Sequence, residues 1–244
     1  MKFGSVLCVF ICAELLLLRG VVQGTVPIAE RDALVALYLS TDGPNWANND
    51  FWLDGDPCAD SWWGVDCDYR DQHVDQLDLS ENQLKGTIPP ELVQLTALVW
   101  MWMGNNQLTG TIPSELGQVS ALEWLWFNDN LFNSTIPTEL GQLSSLTHLW
   151  MGNNQLTGRI PSELGQLPLD WLNLSGNQLT GTIPLDFGQV PFSWLWLQNN
   201  KLSGQVPDWV CDVQSYNLRQ NNFFCPLPRC CSSSGNRLCE PCYD

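Results

Sequence analysis

Residues 146–161 read LTHLWMGNNQLTGRIP, and the chain repeats this stretch at nearly fixed intervals. Asn154, the second asparagine of the stretch, recurs in the same frame at steps of 24 residues toward the N-terminus and 23 residues toward the C-terminus. A period of this length predicts a solenoid, in which each unit buries its apolar face only against its neighbours. The frame asparagines are Asn82, Asn106, Asn130, Asn154, Asn177 and Asn200, with a degenerate copy at Asn221.

Each fixed position of the repeat has a physical role. Leu149 and Met151 alternate with outward residues, as the buried face of a short strand requires. Asn154 follows the strand where the chain turns, and a buried amide there can bond the backbone groups that the turn leaves unpaired. Gly158 tolerates a positive φ, and Pro161 fixes φ and lacks a donor, so both suit a turn. The strands are expected to begin near Leu98, Leu122, Leu146, Leu169 and their equivalents.

The full frame, LxxLxLxxNxLxGxIPxxLGxL, resembles the leucine-rich repeat in the longer variant of plant extracellular proteins, over about residues 74–223. The overall plan is similar to receptor-kinase ectodomains and polygalacturonase-inhibiting proteins of plants. The resemblance implies a repeat solenoid, nominally α/β: a right-handed leucine-rich-repeat horseshoe with one parallel concave β-sheet and short 3-10 or helical turns on the convex side. Phe132 and Ser134 replace the usual leucine and glycine of the third repeat, so one distorted turn is expected there.

The chain is expected to divide into four segments. Residues 1–24 have a cationic start, an apolar run and small residues at their end, which predicts a secretory signal peptide. Residues 25–72 resemble the N-terminal cap of the same family. Residues 73–207 contain six plant-type repeats, and residues 208–244 contain a partial seventh repeat and a cysteine-rich C-terminal cap.

The N-terminal cap carries its own pattern. Apolar residues at helical spacing after Pro27 predict a helix over Ile28–Leu39. The segment that follows resembles the caps of plant leucine-rich repeat proteins in its W…DPC…WxGVxC pattern, and this resemblance implies a Cys58–Cys67 disulfide. The expected role of the cap is to cover the open end of the first repeat, which otherwise exposes apolar surface.

Six further cysteines lie in the C-terminal segment. Disulfides are expected outside the cytosol, and six cysteines allow 15 pairings, among which the sequence does not choose. The Cys239-Glu-Pro-Cys242 motif suits a redox pair or half of a zinc site, but a structural disulfide is the favoured interpretation in a secreted, cysteine-dense cap. The six are Cys211, Cys225, Cys230, Cys231, Cys239 and Cys242.

The charge of the chain excludes one class of partner. It carries 10 Lys and Arg against 26 Asp and Glu, a formal net charge of −16. Nucleic-acid binding is therefore excluded, because it requires clustered cations that contact phosphates. After the signal peptide, no stretch reaches the roughly 18 apolar residues of a membrane span. We expect a secreted, extracellular protein with no membrane span.

The sequence shows no catalytic constellation. Its two histidines, His73 and His148, lie on different repeats, and no nucleophile elbow, zinc-protease helix motif or phosphate-binding glycine loop is present. One carboxylate recurs per convex segment because the whole unit recurs, which is structural periodicity. We therefore expect no enzyme activity, catalytic residue, metal or cofactor. The recurring carboxylates are Glu91, Glu115, Glu139 and Glu163.

The outward strand positions carry the strongest functional signal. Residues six and four positions before each frame asparagine point out of the core, onto the concave face. Eight of the 13 tryptophans fall in these two columns. Neighbouring strands lie about 4.8 Å apart, so the indoles of one column can contact each other. The candidate ligand-binding residues are Trp100, Trp102, Trp124, Trp126, His148, Trp150, Trp171, Trp194 and Trp196.

Two interpretations of the columns stay open. The indoles can form a stacking ladder that only strengthens the sheet, or they can bind a ligand, because large exposed apolar patches mark interaction sites and Trp is enriched in binding hot spots. Acidic residues such as Asp78 and Glu123 flank the columns, and Arg219 is the nearby cation. This surface favours a protein or peptide ligand with apolar anchors and a basic rim. Binding of a neutral cell-wall or surface glycan is the alternative, followed by a structural, adhesive matrix role.

Two sequons predict a glycoprotein, Asn133-Ser-Thr and Asn173-Leu-Ser. Asn133 is expected on the flank just after a strand. Asn173 is expected in the outward slot that Trp150 and Trp196 occupy in the repeats on either side, where a glycan would stand in the middle of the aromatic surface.

Overall fold

The computed structural model describes residues 25–232 and 242–243, which build a repeat solenoid with a cap at its N-terminal end. Helix α1 spans Ile28–Ser40 and follows Pro27, as expected. It ends where the amide and the hydroxyl of Thr41 both bond the carbonyl of Leu37. The signal-peptide prediction lies outside the described residues, and the proposed segment boundaries stay predictions.

An eight-stranded sheet forms the concave face of the solenoid. Strand labels follow the order of all strands along the chain. The sheet consists of β1 (Val65–Cys67), β2 (Val74–Asp78), β4 (Trp100–Trp102), β6 (Trp124–Trp126), β8 (His148–Trp150), β9 (Trp171–Asn173), β11 (Trp194–Trp196) and β13 (Ser215–Asn217). β1 runs antiparallel to β2, and the remaining strands run parallel in chain order, one from each repeat.

From β4 to β9, the repeat strands begin two residues later than the leucines at which the sequence placed them, whereas β2 begins at Val74, the equivalent of Leu98. The amide of Leu98 donates to the carbonyl of Leu95 at 3.1 Å, and that of Leu146 donates to Leu143 at 2.8 Å. These leucines therefore still belong to the preceding turn. Hydrogen bonding between repeats starts with the next residue, where the amide of Val99 donates to the carbonyl of Asp75 at 2.8 Å, and the strand follows from Trp100.

Short 3-10 helices form the convex side, as the length of the segments predicts. Each follows a proline in extended conformation and carries an acidic residue in its first turn. A further 3-10 turn, Gly43–Asn45, lies in the N-terminal cap. The repeat helices span Pro90–Gln94, Ser114–Gln118, Thr138–Gln142, Ser162–Gln166, Leu185–Gln189 and Asp208–Asp212.

A second ribbon of short parallel strands, not predicted from the sequence, runs along one flank between the concave strands and the convex helices. We call it the flank ribbon. Two sheets form most of it, and the isolated bridges Thr135–Thr157 and Arg159–Thr180 carry the pairing from one sheet to the other. Its strands are β3 (Lys85–Gly86), β5 (Gln107–Gly110), β7 (Leu131–Phe132), β10 (Thr180–Gly181), β12 (Lys201–Gly204), β14 (Asn222–Phe224) and β15 (Cys242–Tyr243).

The interior is one apolar core threaded by a column of buried asparagines. Asn154 accepts the N–H of Phe132 at 3.1 Å and donates to the carbonyls of Phe127 at 2.9 Å and of Met151 and Gly152 at 3.2 Å. This confirms the predicted role of the frame asparagine, because the amide ties one repeat to the one before it. The same pattern recurs at Asn106, Asn130, Asn177, Asn200 and Asn221.

The third repeat contains the distorted turn that its sequence predicts. The flanking glycines Gly110 and Gly158 have φ values of 76° and 79°, whereas Ser134 does not adopt a positive φ. Phe132 is fully buried, with its ring 5.4 Å from that of Phe127. The larger side chain therefore fills the core without interrupting the stack.

Aromatic rings and disulfides complete the two ends. Tyr38 and the cap tryptophans Trp46, Trp52 and Trp62 pack ring against ring and cover the first repeat. The predicted Cys58–Cys67 disulfide is confirmed.

At the C-terminal end, the structure joins Cys211 to Cys230, a pairing that the sequence left open. Cys225 and Cys231 are also disulfide-bonded. Cys239 of the Cys239-Glu-Pro-Cys242 motif lies outside the described residues. Among the helices of the described ranges, none is long and apolar enough to cross a bilayer.

Candidate functional site: an aromatic ladder on the concave sheet

The concave sheet brings all nine predicted ligand-binding residues onto one surface. The parallel register places corresponding residues of successive strands side by side. We call these nine rings the aromatic ladder. Its first column is Trp100, Trp124, His148, Trp171 and Trp194, and its second is Trp102, Trp126, Trp150 and Trp196, with Asn173 between the last two.

Neighbouring rings of the ladder contact each other within and between columns. Trp126 lies 4.8 Å from Trp150 and 5.2 Å from Trp102, measured between ring centroids, with interplanar angles of 14° and 26°. Trp100 and Trp102, from different columns, stack at 5.4 Å with an angle of 9°. Such pairs contribute about 0.5–1.5 kcal/mol each beyond their buried area, so the ladder stabilises the sheet.

The stacking determines which part of each indole meets solvent. Most ladder rings are half-buried, and Trp194, at the C-terminal end, is the most open at 36% exposure. The indole nitrogens of Trp100, Trp102 and Trp126 are buried and have no hydrogen-bond partner among the described residues. The part of the ladder formed by Trp100, Trp102 and Trp126 therefore presents mainly aromatic carbon to solvent.

His148 is the one titratable member of the ladder. Its ring stacks on Trp124 at 4.3 Å and lies 4.9 Å from Trp171, and its Nδ1 is 2.8 Å from the hydroxyl of Thr147. Burial lowers the pKa of His148 below its ordinary value, while the carboxylates of Asp170 and Glu123 oppose that shift. The folded protein therefore favours the neutral imidazole.

This shift predicts a loss of stability on acidification. A group with a lowered pKa binds fewer protons when folded than when unfolded, so its contribution is complete above the ordinary pKa and falls as the pH drops below it. Between about pH 7 and pH 5, the melting temperature of the wild type is expected to fall more steeply than that of His148→Gln. Parallel melting curves of the two proteins across this range would contradict the expected shift.

The ladder is interrupted at Asn173, as the sequence predicts. The register places Asn173 between Trp150 and Trp196, whose rings lie 6.2 Å apart. Its Oδ1 accepts hydrogen bonds from the backbone N–H of Ser175 at 3.0 Å and from the Ser175 hydroxyl at 2.6 Å. The half-buried amide thus stands in a notch of the aromatic surface, whereas Asn133 is exposed on the flank.

An N-glycan at Asn173 would block the centre of the ladder. If the whole ladder binds ligand, Asn173 is expected to be unmodified in the secreted protein, or ligands are confined to the half that contains Trp100 and Trp150. Peptide mapping by mass spectrometry measures occupancy at this sequon directly. Full occupancy at Asn173, together with undiminished binding across the half that contains Trp171 and Trp196, would contradict the proposed surface.

The rim of the ladder is acidic. Glu123 and Asp170 lie beside His148, and Arg219 is exposed near the C-terminal end. At the other end, burial raises the pKa of Asp75, with a smaller contribution from the charge of Asp68, and one buried carboxylate oxygen of Asp75 has no partner among the described residues. Within the part of the chain that the structure describes, no cluster of three or more His, Cys, Asp or Glu is arranged to hold a metal ion.

The flank ribbon presents a polar surface that the sequence reasoning overlooked. Its outward residues form two further columns, rich in threonine, which cross the strands obliquely because the pairing is offset by two residues from one repeat to the next. The available signal is the Thr-Gly-Thr triplet at residues 109–111 and 180–182, which by itself indicates only a turn around its glycine. The exposed members of these columns are Thr87, Thr111, Thr135, Thr157, Thr180 and Thr182.

Comparisons with known proteins agree with this architecture. The Leucine Rich Repeat family pattern matches residues 73–95, 97–119, 145–167, 168–190 and 192–213. A search among curated proteins finds no match. Several similar solved structures are receptor ectodomains in complex with peptide hormones.

Three solved structures illustrate the similarity. The PEPR1–AtPEP1 complex has a TM-score of 0.74 and 30% identity over 82% of this chain, which spans only 29% of the length of that one. A plant ice-binding protein has a TM-score of 0.73 and 29% identity over 83% of this chain and 69% of its own. Pollen Receptor Kinase 3 has a TM-score of 0.68 and 30% identity over 80% of this chain and 96% of its own. With this last relative matched over nearly its whole length, and with five copies of the repeat pattern, the chain belongs to the leucine-rich repeat family.

Proposed function

We propose that the protein captures an extracellular peptide or protein on the aromatic ladder. The observation that carries this proposal is the surface of nine neighbouring rings on one sheet. Trp is the residue most enriched in binding hot spots, and rings held by their neighbours lose little conformational entropy when a ligand binds. The similarity to peptide-hormone receptor ectodomains supports the same class of ligand.

The ring geometry favours a peptide over a sugar. A glycan that stacks on indoles needs open ring faces, but Trp126 lies with neighbouring rings stacked on it from both sides, Trp102 and Trp150. Sugar hydroxyls also need donors and acceptors, whereas the buried indole nitrogens are turned away from solvent. Apolar side chains of a peptide require only carbon contact, which the ladder provides.

The charge around the ladder indicates the charge that the ligand should carry. The acidic rim and the net charge of −16 favour a ligand that carries Lys or Arg outside its apolar anchors. Charge of this kind raises the association rate more than the affinity, so capture is expected to slow at high salt.

Two screens with the secreted protein test the proposal. Random peptide display should select peptides that combine aromatic or aliphatic residues with Lys or Arg, and these should compete with one another for one surface. A glycan array should give no binding that quenches tryptophan fluorescence. Neutral-glycan binding with such quenching, without peptide selection, would favour the carbohydrate alternative instead.

A second candidate function is ice binding, and a specific observation favours it. The similarity to the plant ice-binding protein covers 83% of the present chain. In addition, the flank ribbon gives this chain a regularly spaced hydroxyl surface that contains no carboxylate and lies outside the concave sheet. The two functions use different surfaces, so each can be tested without disturbing the other.

A further inference from the structure

We propose that the two threonine columns of the flank ribbon form an ice-binding surface, an inference that rests on the second candidate function and assigns it to named residues. The inner column is Lys85, Thr109, Asn133, Thr157, Thr180 and Ser203. The outer column is Thr87, Thr111, Thr135, Arg159, Thr182 and Gln205.

The ribbon holds hydroxyl groups at a regular spacing. Parallel pairing continues along it from β3 to β7, through the two isolated bridges, and on to β14. The pairing places the outer position of one repeat beside the inner position of the next, as in Thr135–Thr157 and Arg159–Thr180, at the strand spacing of about 4.8 Å. The two positions of one repeat lie two residues, roughly 7 Å, apart along the chain. A solid with a fixed lattice of oxygen atoms is a ligand that such a two-dimensional repeat can match, and the lattice spacings of hexagonal ice are similar.

Contacts within the ribbon hold the inner threonines in one orientation. The hydroxyl of Thr109 donates to the carbonyl of Gly86 at 3.0 Å, and that of Thr180 donates to the carbonyl of Gly158 at 3.1 Å. Each oxygen still has lone-pair capacity to accept a hydrogen bond from water. These groups are thus ordered before any ligand arrives, which reduces the entropy lost on binding.

The outer threonines are positioned by glycines of the following repeat. A methyl group added to Gly110 would lie 3.0 Å from Cγ2 of Thr87, and one added to Gly204 would lie 2.7 Å from Cγ2 of Thr182. The absent side chain lets each threonine methyl lie close to the next repeat. The hydroxyls of Thr87, Thr111 and Thr182 have no hydrogen-bond partner among the described residues, so they are free to bond water.

The charge of the ribbon also differs from that of the rest of the protein. Its two columns contain no carboxylate, although the chain has 26 acidic residues. Their cations are Lys85 and Arg159, and Lys201 is paired beside Thr180. Charged groups hold a hydration shell that does not fit the ice lattice, so a neutral array suits this ligand. The concave face is unsuited to it, because it is apolar, curved and rimmed with carboxylates.

Asn133 and Arg159 interrupt the array and limit its strength. They separate the triplet at residues 109–111 from the triplet at 180–182. We therefore expect slow, surface-wide adsorption that inhibits recrystallisation of ice, with little depression of the freezing point. A glycan at Asn133 would cover the same area, so the assays use secreted protein from which N-glycans have been removed.

The decisive variant is Thr111→Tyr combined with Thr182→Tyr. Both sites are exposed, so the bulky rings should leave the fold intact while they lift the ribbon away from a flat crystal face. Thr138→Tyr, an exposed threonine on a convex 3-10 helix, is the matched control. The concentration needed to inhibit recrystallisation should rise at least about tenfold in the double variant and stay unchanged in the control.

Three outcomes would overturn the proposal. They are a wild type that leaves ice recrystallisation unaffected, a double variant as active as the wild type, and a control that loses as much activity as the double variant. Peptide capture is measured on the same preparations. The double variant leaves the ladder intact and should retain peptide capture. Failure in the ice assay therefore contradicts only the ice-binding proposal, and failure in the peptide assay contradicts only the peptide-binding proposal.

Discussion

Replacing Trp102, Trp126 and Trp150 together by alanine is expected to weaken capture of ladder-binding peptides by about 100-fold or more. The three indoles occupy successive strands of the second column and stack at 5.2 and 4.8 Å. Their loss removes the centre of the apolar surface and the contacts that hold the adjoining rings. The measurement is the dissociation constant of peptides selected by display on the wild type, for wild type and variant.

The matched control replaces Gln107, Gln155 and Gln178 by alanine. These glutamines are exposed and lie on the flank ribbon of three repeats, away from the concave sheet. The control should bind as the wild type does, and circular dichroism should show that both triple variants keep the native fold. Unchanged capture by the tryptophan variant would move the binding site off the concave face and leave the ladder with a stacking role only.

Asn154→Ala is expected to destabilise the protein by about 2–5 kcal/mol. The amide is 8% exposed and bonds four backbone groups. Three of these keep other partners, because the carbonyl of Met151 also accepts from Asn177, that of Gly152 from Asp129 and that of Phe127, at 3.3 Å, from Asn130. The N–H of Phe132 loses the Asn154 amide as its partner inside the core.

Denaturant or thermal unfolding measures this loss, with Gln155→Ala as the control. Gln155 is the next residue in the chain and its side chain is exposed, so its truncation should change stability by less than about 0.5 kcal/mol. Equal stability of the two variants would show that water replaces the Asn154 amide at no cost, and that the column of asparagines does not hold the repeats together.

Much of the architecture could be predicted because the same residue types, each with the same physical role, recur in every repeat. The alternation of Leu149 and Met151 with outward residues, the buried role of Asn154 and the short convex turns all follow from local chemistry that recurs at a fixed period. The same counting placed the candidate ladder correctly, because strand residues alternate between faces and parallel strands align in register. The Cys58–Cys67 disulfide followed from the resemblance of the cap to its family.

The start of the strands could not be read from the sequence. Leu98, Leu122 and Leu146 have the apolar character of strand residues, but local hydrogen bonds keep them in the turn. Residue propensity does not reveal which of two competing backbone hydrogen bonds forms. The strands therefore begin two residues after these leucines.

Other features depend on distances between repeats, which only the folded chain defines. The sequence placed the indoles in columns, but their tilt, their overlap and the burial of the nitrogens of Trp100, Trp102 and Trp126 result from packing of rings on adjacent strands. The Cys211–Cys230 pairing is likewise decided by proximity, since six cysteines have equivalent chemistry.

The flank ribbon shows most clearly which features follow from the sequence and which depend on the packing of repeats. From the sequence, Gly110 and Gly158 mark turns, and both do adopt positive φ values. That these turns also pair with one another, and so bring threonines from five repeats onto one surface, depends on the stacking of whole units. The sequence by itself therefore determined the repeat, its buried face and its aromatic columns, whereas only the tertiary structure decided which outward residues share a surface, because that depends on the alignment of one repeat against the next.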